Sequence, residues 1–110
     1  MENAWKEYSD AFDVFIEACD NYKPYARPDL WENTLRHMEE EALNAKKFMI
    51  LLGAITPETR DEFIALLEMA KSDLKTKTDA INQALAHAKT RKATENELER
   101  MRLKHNQRFM

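Results

Sequence analysis

The sequence predicts an all-α fold, and three observations carry that prediction. Apolar residues recur at alternating spacings of three and four, which is the period of a helix with one buried side, whereas a strand needs a period of two. The 110 residues include one glycine and three prolines, so helix-breaking residues are few. Three such periodic stretches follow one another along the chain. We therefore expect one domain, residues 1–110, forming a three-helix antiparallel bundle with an extended third helix and, as one of two alternatives, a short C-terminal fourth helix.

Proline and glycine mark the limits of the first two helices. The first helix is predicted over residues 2–22, because Pro24 disfavours helical geometry in the residue before it. Pro28 and Asp29 then supply a preset φ and an acidic first turn, which are common at a helix start. The second helix is predicted over residues 29–52 and ends at Gly53, the only glycine.

The third helix has a clear start and no early stop. Thr56-Pro57-Glu58 combines a capping residue, a proline and a first-turn acid, so we expect this helix over residues 57–90. Thr94-Glu95-Asn96-Glu97 matches a capping box. Residues 94–110 are therefore expected to form a basic helical segment, which either starts a fourth helix that folds back or continues the third helix to the terminus.

The periodic stretches also predict which side chains are buried. The apolar side of helix 2 is read as Trp31, Leu35, Met38, Ala42, Ala45, Met49 and Leu52. One continuous core is expected to contain Trp5, Phe12, Phe15, Leu35, Met49, Phe63, Leu67 and Leu74.

Composition excludes several classes of protein. Hydrophobic residues make up 44% and charged residues 34% of the chain, which does not suit a disordered protein. The single cysteine, Cys19, lies on the apolar side of helix 1 and is expected to be buried and reduced. The apolar run from Phe48 to Leu52 is far shorter than the ~20 residues that cross a bilayer, and no signal-peptide pattern is present. We expect a cytoplasmic protein without a membrane role.

Neither metal binding nor catalysis is indicated. Helix 1 carries Asp10, Asp13, Glu17 and Asp20 on one side, but this side faces away from the apolar one, so the carboxylates are expected to be solvated. His37 with Glu40 and Glu41 is a weak metal-ligand spacing. No serine, threonine or cysteine lies at a motif spacing from a histidine, and no glycine-rich loop is present. We expect no enzyme activity, no cofactor, no metal and no small-molecule substrate.

A basic C-terminal segment and an aromatic loop are the features that point to a partner. The basic residues are Lys89, Arg91, Lys92, Arg100, Arg102, Lys104 and Arg108, although the net charge of the chain is −3. The expected contact residues for another protein or a second copy are Tyr22, Tyr25, Trp31, Leu85, Ala88, Leu98, Met101 and Phe109. The chain is expected to be a non-enzymatic protein-binding module of the adaptor, chaperone or inhibitor type. The alternative is a nucleic-acid-associated regulator that uses the basic segment.

Overall fold

The computed structural model describes residues 2–108, with side chains described for 2–102, and within that part it contains three α-helices and no strand. The all-α prediction is confirmed. The helices and the connecting 3₁₀ turn are α1 (Glu2–Tyr22), the turn (Lys23–Tyr25), α2 (Pro28–Gly53) and α3 (Arg60–Arg108). The molecule is a thin rod with dimensions of 80 × 21 × 14 Å.

The 3₁₀ turn and two prolines separate α1 from α2. The Ala26 N–H donates to the Tyr22 carbonyl at 3.1 Å and so satisfies one of the free carbonyls at the end of α1. Arg27 is extended, with ψ of 153°, which is the conformation that a following proline favours. Pro28 then opens α2, and the Trp31 N–H donates to the Arg27 carbonyl at 2.8 Å.

α3 begins one turn later than residue 57. The Thr56 N–H donates to the Thr59 hydroxyl oxygen at 3.0 Å, and the Thr59 N–H donates to the Thr56 carbonyl at 3.1 Å. These bonds hold residues 57–59 in a turn, and the Thr59 carbonyl accepts from the Phe63 N–H at 3.0 Å. The Thr-Pro-Glu signal therefore marks the turn that leads into the helix.

α3 continues through the predicted break near residue 90. The Thr94 hydroxyl donates to the Thr90 carbonyl at 3.0 Å, which is a bond within a continuing helix and leaves the hydroxyl unable to cap a new one. Within the described residues no separate fourth helix forms, so the third helix does not end at 90. The alternative in which α3 continues toward the terminus matches the structure.

The core lies mainly between α1 and α3, which pack closely, while α2 lies farther from both. Phe15, Phe63, Leu67 and Leu74 are buried as predicted. Trp5 and Phe12, which were also expected in the core, are only partly buried. The other buried apolar side chains are Tyr8, Ala18, Cys19, Tyr22 and Ala88.

The predicted register of α2 is wrong at three positions. Leu35 and Met49 were expected in the core, but they are 39% and 63% exposed, and Ala42 is exposed as well. The inward positions are instead Thr34, Met38, Glu41, Ala45, Phe48 and Leu52, which keep a spacing of four and three. The Phe48 ring fixes this rotation, because it meets the Tyr8 and Phe63 rings edge-on at 5.2 and 6.0 Å between centroids.

Two contacts show how α2 runs along α3. Phe48 packs against Phe63, and Glu41, earlier in α2, forms an ion pair with Lys77, later in α3. Glu41 is buried, so Lys77 neutralises a carboxylate that would otherwise be costly inside the core. The pair explains why an acidic residue can occupy an inward position of α2.

Candidate interaction surface

The projecting end of α3, defined as residues 96–108, extends beyond the rest of the fold. A cleft of about 230 Å³ lies where the described side chains of α3 last face another part of the fold, and in it Pro24, Tyr25 and Arg27 face Ala88, Arg91, Lys92 and Glu95. At a rise of ~1.5 Å per residue, the projecting end is about 20 Å long. Every described side chain from residue 96 to 102 is exposed.

Aromatic and cationic groups meet where α3 leaves the rest of the fold. The Lys89 and Lys92 ammonium groups lie 5.7 and 5.4 Å from the centre of the Tyr25 ring, within the range of a cation–π contact. The Lys23 ammonium lies 5.6 Å from the centre of the Trp31 ring. The two contacts with Tyr25 join α3 to the 3₁₀ turn near the point where α3 leaves the rest of the fold.

The predicted apolar contact residues divide into three groups. Tyr22 and Ala88 are buried within the chain and cannot form a partner surface, because Ala88 packs where α3 meets the 3₁₀ turn. Tyr25, Trp31 and Leu85 are partly buried. Leu98 and Met101 are 57% and 63% exposed on the projecting end, and Phe109 lies outside the described residues.

The predicted basic residues are exposed wherever their side chains are described, namely Lys89, Arg91, Lys92, Arg100 and Arg102. The side chains of Lys104 and Arg108 lie outside the described part. The structure adds Lys23 and Arg27, which the 3₁₀ turn brings to the same end of the molecule. These two could not be predicted, because they are 60 or more residues away from the basic segment in the chain.

The acidic side of α1 is exposed in the structure. Asp10, Asp13, Glu17 and Asp20 all face solvent, as the helical spacing predicted. Val14 lies among them and is 53% exposed, although it is apolar. Val14 was not among the predicted contact residues. Its position four residues after Asp10 and three before Glu17 places it on the acidic side of the helix, and this spacing could have identified it.

The chemistry available in the described residues is limited. No group of three or more His, Cys, Asp or Glu side chains there is arranged to hold a metal ion. His37 and Glu40 form an exposed pair at 3.7 Å, whereas Glu41 turns inward to Lys77. Burial, and to a smaller extent the Asp20 carboxylate, raises the pKa of Cys19 to about 11, so its thiol is protonated at neutral pH and is a poor nucleophile.

Two further grooves are open and mainly apolar. One, of about 180 Å³, lies between α1 and α2 and includes Trp5, Phe12 and Met49. The other, of about 240 Å³, lies near the connection from α2 to α3 and includes Leu51, Phe63 and Leu66. Neither combines its apolar lining with a group of converging polar side chains, which a small-molecule site normally has.

Comparison with protein-family models, with curated proteins and with solved structures gives no match to this chain. Within the described residues, none of the helices combines the length and the apolar character needed to cross a membrane.

Proposed function

We propose that this chain is a small, cytoplasmic, non-enzymatic protein-binding module of the adaptor, chaperone or inhibitor type. It acts through helix–helix contacts, and it associates with itself. The observation that carries the proposal is the projecting end of α3, where Leu98 and Met101 are exposed beside Arg102. Apolar and arginine side chains on one helical surface are typical of protein interfaces.

The length of the projecting end supports this proposal. An isolated helix of this length is marginal in water, because most helical stability in proteins comes from packing. Residues 96–102 have no buried side chain, so nothing within the described part of the chain supplies that packing. A partner helix would supply it and would cover Leu98 and Met101.

The body of the fold would act as the support for this surface. We assign it as an antiparallel three-helix bundle, in which α2 runs against both α1 and α3. The paired contacts Phe48–Phe63 and Glu41–Lys77 support this arrangement, because they advance in opposite directions along α2 and α3. The cation–π contacts at Tyr25 support a fixed exit direction for α3.

Removal of residues 96–110 tests the function. This truncation keeps Glu95 and the whole cleft, so the bundle should retain its melting temperature while self-association and partner capture are lost. A matched control is full-length Met69→Ser, which makes an exposed methionine outside the projecting end polar and should leave binding intact. If the truncated chain keeps the mass and the captured partners of the full chain, the projecting end is not the binding surface.

Nucleic-acid binding is the second candidate, and the cleft beside Tyr25 is the observation that favours it. Lys23 and Arg27 join Lys89, Arg91 and Lys92 at this end, although each group comes from a different part of the chain. Cationic side chains beside an aromatic ring are typical of sites that bind single-stranded nucleic acid, because the cations contact phosphates and the ring stacks on a base. Fluorescence anisotropy with labelled single-stranded RNA tests this candidate, and binding that disappears in an Arg27→Glu/Lys92→Glu variant would support it.

A further inference from the structure

We propose that the projecting end of α3 docks on the acidic outer face of α1 of a second copy of this chain. The contact forms twice, because the projecting end of each copy docks on α1 of the other. The outer face of α1 is defined by Asp10, Asp13, Val14, Glu17 and Asp20. This inference rests on the proposed function and specifies the surface used for self-association.

The outer face of α1 combines one exposed apolar side chain with four exposed carboxylates. Val14 is 53% exposed, and exposed acids surround it at the neighbouring helical positions. At 3.6 residues per turn, this face points away from the buried Tyr8 and Phe15. It is therefore free for contact while α1 remains packed against α3.

Arg91 and the projecting end together offer the complementary arrangement. Arg91, Leu98 and Arg102 are spaced by seven and four residues, so they lie along one side of α3, and Met101 adjoins Leu98 at a spacing of three. Apolar side chains flanked by guanidinium groups on α3 would thus meet one apolar side chain flanked by carboxylates on α1. Opposite potentials on two docking faces favour encounter and fix their register.

The lengths of the two faces also agree. At ~1.5 Å per residue, Asp10 to Asp20 spans about 15 Å and Arg91 to Arg102 spans about 16 Å. With the two helices antiparallel, Arg91 would lie near Asp20 and Arg102 near Asp10. Both charged ends of the contact would then be paired.

The contact has to form between two copies. Lys89 and Lys92 contact Tyr25, which follows the C-terminal end of α1, so residues 96–108 continue beyond that end of α1. The projecting end therefore cannot reach the outer face of α1 in its own chain. A two-fold arrangement in which the 3₁₀ turns of two copies face each other gives each α1 one projecting end, and this symmetry closes the assembly as a dimer.

Charge reversal on each face tests the proposal. We expect the full chain to be a dimer by light scattering at about 0.01 M salt, where charges act over about 30 Å, and to dissociate toward a monomer near 1 M salt. Asp13→Lys/Glu17→Lys and Arg91→Glu/Arg102→Glu should each be monomeric at low salt. Far-UV circular dichroism and the melting temperature establish that both variants fold.

Mixing the two reversed variants is the decisive step. In the mixture, the basic projecting end of the first variant can meet the acidic α1 of the second, and the acidic projecting end of the second can meet the basic α1 of the first. We expect a one-to-one heterodimer by native mass spectrometry. The matched control is Lys46→Glu/Lys47→Glu, which reverses two exposed charges on α2 and should leave the wild-type dimer unchanged.

Each contrary outcome identifies what fails. If both reversed variants remain dimers, self-association stands but it uses another surface, and this inference is wrong. If the variants are monomers and their mixture stays monomeric, the two faces do not pair. If the full chain is a monomer at low salt, the exchange contact is overturned, whereas capture of a different protein by the projecting end is unaffected.

Discussion

The ion pair between Glu41 and Lys77 gives an asymmetric prediction, because the two partners differ in their access to water. The Glu41 side chain is 6% exposed and the Lys77 side chain is 33% exposed. Lys77→Met would leave a carboxylate in the core without its cation. Breaking a fully buried pair typically costs about 3–5 kcal/mol, and the partial exposure of this site reduces the expected loss to about 2–3 kcal/mol.

The reverse substitution should be mild. In Glu41→Met, the long Lys77 side chain can move its ammonium group into water, so the loss should be about 1 kcal/mol or less. The double variant Glu41→Met/Lys77→Met replaces the pair by apolar side chains and should be as stable as the wild type or more stable.

Urea unfolding followed by circular dichroism measures these three free energies, and a double-mutant cycle gives the coupling. Equal losses in the two single variants would refute the argument from exposure. A double variant less stable than the wild type would show that the pair contributes more than an apolar contact at this position.

Three more predictions concern the core. Leu74→Ala should lower the free energy of unfolding by about 2–5 kcal/mol, because it leaves a cavity in the core. Leu35→Ala, at a 39% exposed site, should lower it by about 1 kcal/mol or less. Equal losses of the two variants in urea unfolding would contradict the α2 register. The Tyr8 hydroxyl is buried without a hydrogen-bond partner among the described residues. Tyr8→Phe should therefore leave the urea midpoint of unfolding unchanged or raise it. A clear fall in that midpoint would show that the hydroxyl does have a partner. Burial and the Glu41 carboxylate raise the pKa of Tyr8 from 10.0 to about 12, and burial with the Asp20 carboxylate raises the pKa of Cys19 from 9.0 to about 11. Both groups ionise first in the unfolded chain, so their contribution to the free energy of unfolding is complete below pH 9. It is lost at about 1.4 kcal/mol per pH unit for each group, as pH rises from 9 to about 11 for Cys19 and from 10 to about 12 for Tyr8. Tyr8→Phe should make the decline in unfolding free energy above pH 10 shallower, and an unchanged decline would contradict the raised pKa.

The parts of the fold that local sequence determines were predictable. The alternating apolar spacing placed Phe15, Phe63, Leu67 and Leu74 in the core, and burial agrees. A proline also signalled the connection from α1 to α2, because proline restricts both its own backbone and that of the residue before it.

The register of α2 could not be obtained in the same way. Leu35 and Met49 are more apolar than Thr34 and Glu41, so hydrophobicity alone misplaces these positions. The correct side depends on tertiary contacts, namely those of the Phe48 ring with Tyr8 and Phe63 and the ion pair of Glu41 with Lys77. Thr34 is accommodated because its hydroxyl donates to the Leu30 carbonyl at 3.1 Å within its own helix.

The candidate site was predicted in its charges and only partly in its contacts. The basic residues of α3 and the acidic side of α1 follow from helical spacing. The burial of Tyr22 and Ala88 does not, because it depends on how the 3₁₀ turn packs on α3. The position of Tyr25 between bundle and projecting end is likewise set by tertiary contacts with Lys89 and Lys92.

Three successive parts of α3 are stabilised by different forces, and this difference connects the fold to the proposed function. Up to Ala88 the helix is held by buried contacts, and from Lys89 to Glu95 it is held by cationic and cleft contacts with the 3₁₀ turn. Beyond Glu95 the described side chains contribute only local helical propensity and pairs within the helix, which are worth about 0.2–0.5 kcal/mol each. A surface supported so weakly gains most from an interaction that supplies both apolar cover and opposite charge. The outer face of α1 supplies both, because Val14 lies among four exposed carboxylates.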